Sequence, residues 1–196
     1  MSDSQLIPPF LQQGFVEAAD GLFQSSDRLA HHLHLAAQAI IHSMTSGGKV
    51  WCAGQGPAGW LARQTAHLLV SGTGRPRPPL AAIALSTEGD PGQTTPEGHL
   101  ETQVRALAHP GDVWLACSLE GNEAELARAT QAAAELDMTL VILSGEAASV
   151  LGPMVRETDV WVPLPGKNSV QLFAAAWLAV HGLSDAVDAH LLGDEL

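Results

Sequence analysis

The chain has 196 residues, 46% hydrophobic and 15% charged, and its 21 Asp and Glu against nine Lys and Arg leave a net charge of −12. That length suits one compact α/β domain over residues 1–196, and the apolar content excludes global disorder. So acidic a chain repels phosphate backbones and anionic lipid, which argues against nucleic acid or a membrane surface as a direct partner over a broad face.

Met1 to Pro9 hold no cationic region ahead of an apolar run, so no secretory signal is expected. No bilayer span is expected either, because His, Gln or Gly interrupts the longest apolar runs. Residues 10–46 form a helical segment: Phe10, Phe15, Ala19, Leu22, Phe23, Leu29, Leu33, Ala37, Ile40 and Met44 recur at three- and four-residue steps. Ser25-Ser26-Asp27 are cap formers and are expected to divide it into two helices, and Gly47-Gly48 ends it. His31, His32 and His34 fall on different faces. A metal would need an i, i+4 pair or a tertiary partner, so they read as solvated or core histidines and no metal is expected.

From Lys49 onward strands alternate with helices, giving an αβα core over residues 47–196. Strands are expected at Lys49–Ala53, Leu80–Leu85, Asp112–Cys117, Thr139–Leu143 and Asp159–Val162. Helices are expected at Pro57–Leu69, His99–Ala108, Asn122–Leu136 and Ser169–Leu192. Gly72–Pro79 and Glu88–Glu97 read as loops. Cys52 and Cys117 end strand-like runs and are expected to be buried thiols in a reduced, cytoplasmic setting. The five Trp residues read as core or interface packing. Short unbroken apolar strands joined by helices specify a five-stranded parallel sheet buried on both faces, doubly wound. The long N-terminal helical segment either covers this sheet or pairs with its copy in an oligomer. Ligands of such sheets gather at the carboxyl ends of the strands, after Ala53, Leu85, Cys117 and Leu143.

The first of these turns, Gly54-Gln55-Gly56-Pro57-Ala58-Gly59, is formally G-x-G-x-x-G at a strand-to-helix junction. The acid that would hold a ribose about twenty residues on is missing: Thr73 to Leu85 has none, and Glu88 and Asp90 come late in a loop. No nucleotide cofactor, and no other cofactor, is expected. The turn after the third strand is Ser118-Leu119-Glu120-Gly121-Asn122-Glu123.

With the blocks Gly48–Gly56, Arg77–Leu85, Gln103–Val113 and Asp137–Gly145, these turns resemble the SIS (sugar isomerase) domain family, in its phosphoheptose isomerase and DiaA-like branch. The resemblance runs from about Phe15 to the end. It implies a phosphosugar site built from the two turns, with hydroxyls and helix N-termini holding the phosphate. It implies a glutamate base on the helix after the first turn and a histidine on the last helix, where some members bind zinc.

Here the pattern departs at the chemical positions. Gln55 stands for Asn, Pro57 for Gly and Ala58 for the phosphate-binding Ser, while Leu119, Glu120 and Glu123 replace Thr and Ser beside the retained Ser118, Gly121 and Asn122. Carried along without gaps, the pattern puts Gln64 at a family histidine, His67 at a neighbouring acid, Leu68 at the catalytic glutamate and Ala176 at the last-helix histidine. No Asp or Glu occurs between Ala58 and Ile83, so no catalytic residue is expected. The remnant site comprises Gly54, Gln55, Gly56, Ala58, Ser118, Glu120, Gly121, Asn122 and Glu123. Two carboxylates facing a phosphate dianion make phosphosugar binding unfavourable. The expected alternative is that these acids complement the helix dipole or fill the anion hole themselves. His67 reads as a structural histidine or a remnant base. The branch then implies a non-catalytic homodimer or homotetramer associated with the bacterial replication initiator DnaA, with sedoheptulose 7-phosphate isomerase as the alternative.

Overall fold

A computed structural model describes residues 9–74, 76–86, 98–146 and 150–193, and the expected loop over 88–97, with Glu88 and Asp90, lies outside these. The chain opens with α1 (Pro9–Thr45), one unbroken helix of 37 residues. The expected break at Ser25-Ser26-Asp27 is absent: Ser26 Oγ donates to Phe23 O at 2.9 Å, so the hydroxyl finds its acceptor inside the helix. Then follow β1 (Val50–Gly54), α2 (Ala58–Ser71), β2 (Ala82–Ala84), α3 (His99–Leu107), β3 (Val113–Ser118), α4 (Ala124–Glu135), β4 (Thr139–Gly145), β5 (Val160–Leu164) and α5 (Ser169–Leu192), with one 3₁₀ turn at Gly152–Met154.

All strand pairs are parallel and the order is β2-β1-β3-β4-β5. Alternate residues of each strand serve opposite layers. Val50, Cys52, Val113, Leu115, Val141 and Val162 pack under α1, α2 and α5. Trp51, Ala53, Trp114, Ala116, Leu140 and Ile142 pack under α3 and α4. Burial on both faces is why these strands read as continuous apolar runs. Burial pushes the Cys52 thiol well up and that of Cys117 up to about 12, so both are inert core thiols.

The amino end of the sheet is closed by Asp112, which accepts from Trp51 Nε1 at 2.8 Å, His109 N at 3.0 Å and Lys49 N at 3.0 Å, with Lys49 Nζ at 3.1 Å. Burial raises its pKa, but the Trp51, His109 and Lys49 donors outweigh that and hold it below the usual carboxylate value.

By length and composition α5 could cross a bilayer, contrary to the expectation that no stretch does. It passes that test because it is a core helix: Ala175, Ala176, Ala179, Val180, Leu183 and Val187 are buried in the layer shared with α1 and α2. Its Asp188 is also buried, and pairs with Arg77, each side chain 1% exposed. Arg77 further donates to Leu69 O at 2.8 Å and Leu68 O at 3.1 Å, and Thr73 Oγ1 donates to Asp188 at 3.0 Å. This cluster latches the segment between α2 and β2 onto α5.

Candidate functional site

In the order β2-β1-β3-β4-β5 the connections from β1 and β3 leave toward opposite layers, which opens a crevice at their carboxyl ends. The two turns singled out from sequence end these two strands, and the register sets Gly54 beside Cys117. Gly54 makes the sharp turn into α2, where a Cβ would lie 2.5 Å from Ala58 O. Gly121, at φ 77°, turns the chain after β3.

A cavity of about 710 Å³ lies between them. Gln55, Gly56, Glu120, Asn122 and Glu123 line it, as placed from sequence, while Gly54, Ala58, Ser118 and Gly121 lie buried beneath. The lining also holds Glu125 and Arg128 of α4 and Val170 and Phe173 of α5. Sequence spacing around the turns could not find these, because they enter from a helix face and from the far end of the chain.

The electrostatics of the crevice follow from Glu123. Its carboxylate turns back into its own turn and accepts from Ser118 Oγ at 2.7 Å, Leu119 N at 3.1 Å and Glu120 N at 3.2 Å. Ser118 Oγ in turn accepts from Gly121 N at 3.2 Å. Donors clustered before a helix N-terminus are what a bound anion would use, and here an internal anion uses them. Glu120 is exposed at the rim of the cavity. Gln55 ties the turns together: its Oε1 accepts from Leu126 N at 3.3 Å and its Nε2 donates to Glu125 at 3.3 Å. Glu125 also accepts from Leu100 N at 2.9 Å, at the start of α3. The first turn has few donors left, since Pro57 lacks an N–H and Ala58, Gly59 and Trp60 donate to the carbonyls of Gln55, Gly56 and Pro57.

The positions carried along the helices behave differently. Leu68 is buried beside the Arg77 latch, so α2 presents an apolar side chain where a base would stand. His67 is exposed, outside the cavity lining, with Nδ1 3.4 Å from Ser71 Oγ. Ala176 is fully buried. The α5 residue that meets Gln64 is His181, their Nε2 atoms 3.3 Å apart, with Trp177 against its ring. For zinc, this corner offers one imidazole, one amide and no carboxylate or thiolate on α2, a donor set that does not fit the ion.

Together these define a doubly wound α/β protein with a crevice at its switch point. The SIS domain model matches residues 15–145, and the chain belongs to the SIS domain family. It is 37% identical to a phosphoheptose isomerase of Methylibium petroleiphilum over 94% of this chain and 95% of that protein. It is 33% identical to the DnaA initiator-associating protein DiaA of Citrobacter koseri over 89% and 91% of the respective chains. The structure of a phosphoheptose isomerase from Francisella tularensis superposes with a TM-score of 0.82 at 26% identity, covering 92% of this chain and 97% of that one.

Proposed function

We propose that this SIS protein is non-catalytic: an oligomeric, cytoplasmic binding protein that, like the DiaA relatives it resembles, associates with the replication initiator DnaA. The observation that carries the reading is the Glu123 carboxylate, which occupies the donors of Ser118, Leu119 and Glu120. A phosphate entering there must displace a like charge, at a cost of roughly 3 kcal/mol per charge pair near 5 Å at an effective dielectric of 20. Leu68 supplies no base for moving a carbon-bound proton. Incubated with sedoheptulose 7-phosphate in D₂O, the protein is expected to leave the carbon-bound protons unexchanged, and immobilised protein is expected to retain purified DnaA. Exchange at isomerase-like rates would sink the reading. The second reading, a phosphoheptose isomerase, is favoured by the 37% identical relative and by His181 beside Gln64.

Self-association is part of the proposal. Three of the four phenylalanines, Phe10, Phe15 and Phe23, lie 69–82% exposed on α1, with Val170 and Leu178 of α5 and Trp60 of α2 exposed in the same helical layer. Phe10, Phe15, Val170 and Ala174 share an apolar groove. Large apolar side chains exposed together are unusual on a monomer and mark a surface that another chain covers. The occupant that fits is a second copy of the chain. Light scattering is expected to give the mass of two or four chains, and Phe15→Asp to lower it. A monomeric wild-type protein would remove this element.

A further inference from the structure

His34 has no partner four residues away along α1, but the fold supplies one from another helix. His190, in the last turns of α5, stands against it with ring centres 5.0 Å apart and planes tilted by 41°. His190 Nδ1 lies 3.1 Å from Ala186 O, one turn back. A carbonyl can only accept, so Nδ1 carries a proton, and in the neutral ring Nε2 is the nitrogen with a lone pair to offer. Histidines that ligate metals are held this way, with the second ring nitrogen donating to a carbonyl.

The spacing also fits. Two imidazoles on one tetrahedral ion, bonded at about 2.0–2.1 Å, hold their ring centres roughly 5 Å apart. Both residues are half-buried, so solvent can reach the pair while the helices restrict it. Among the described residues no third His, Cys, Asp or Glu side chain joins the pair, so the two imidazoles would be the protein ligands and water would have to supply the rest. The net charge of −12 raises the local concentration of cations.

We propose that His34 and His190 form a two-imidazole site for a divalent transition ion, Zn²⁺ or Cu²⁺, that pins α1 to α5. Imidazole pairs select these ions over Mg²⁺ and Ca²⁺, which prefer oxygen. The site is distinct from the crevice and from the Gln64–His181 corner, and it stands whether or not the protein is catalytic.

The test is thermal unfolding of the full chain with and without ZnCl₂, with long-range ¹⁵N–¹H spectra of the imidazoles. Zn²⁺ is expected to raise the midpoint by about 2–4 °C and to shift the His34 and His190 Nε2 resonances together. His34→Gln and His190→Gln are each expected to abolish the rise, whereas His31→Gln, His32→Gln and His181→Gln keep it. Metal-free midpoints of the variants show that they fold. No rise in wild type, or a rise that survives in the His34→Gln/His190→Gln double variant, overturns the proposal.

Discussion

Arg77→Met is expected to destabilise the protein by roughly 3–5 kcal/mol, because it strands the Asp188 carboxylate inside the fold. The pair is almost fully removed from water, and among the described residues Asp188 would keep the Thr73 donors, at 3.0 Å from Oγ1 and 3.3 Å from N. The same change leaves the carbonyls of Leu68 and Leu69 without their guanidinium donor. For a chain of this length such a loss lowers the thermal midpoint by about 6–20 °C, a large share of an ordinary stability margin. Adding Asp188→Asn is expected to recover part of it, since a neutral amide is cheaper to bury than an unpaired charge. Circular dichroism melts of the single and double variants measure this, and an Arg77→Met midpoint within 2 °C of wild type would show that the latch is dispensable. The latch also bears on α2, because Arg77 holds the backbone at Leu68 and fixes the last turn of that helix.

Glu123→Ser is expected to convert the crevice into an anion site. Removing the carboxylate frees Ser118 Oγ–H and the N–H groups of Leu119 and Glu120 at the start of α4, beside a cavity of about 710 Å³. Without ligand the variant loses the bonds that close the turn, at about 1–3 kcal/mol. With millimolar inorganic phosphate it regains a few degrees of midpoint, whereas wild type does not respond. The Leu119 and Glu120 amide resonances are expected to report the same binding. Adding Glu120→Gln strengthens it, by less than the Coulomb figure for a buried pair because Glu120 is exposed and screened. An absence of any phosphate effect in Glu123→Ser would mean that the carboxylate is not what keeps anions out.

Much of the architecture could be read from the residues because it depends on local periodicity. The last helix falls on Ser169–Leu192 as expected, and the five strands lie within a few residues of their expected places. The β2 strand is shorter than the apolar run Leu80–Leu85, because only Ala82–Ala84 pair with β1 at the sheet edge. The two turns were legible as a site because glycines at strand ends leave few other reasons for their presence. Less legible was α1, whose Ser-Ser-Asp triplet carries a capping signal that the helix satisfies internally. The meeting of Gln64 with His181 was not legible, because the two residues lie on different helices far apart in the chain and only packing brings them together.

The amino-acid sequence by itself determined the doubly wound sheet, the two turns at its switch point and the lack of an acid along α2. These follow from residue type and spacing, which act over one or two helical turns. Only the tertiary structure decided that Glu123 folds into its own turn while Glu120 stays exposed at the cavity rim, because three residues of loop conformation set where each carboxylate lies. It also decided that Arg77 meets Asp188 and that His34 meets His190, pairs separated by more than a hundred residues. Such meetings are set by how helices pack on the sheet, and packing is a property of the whole core rather than of any segment.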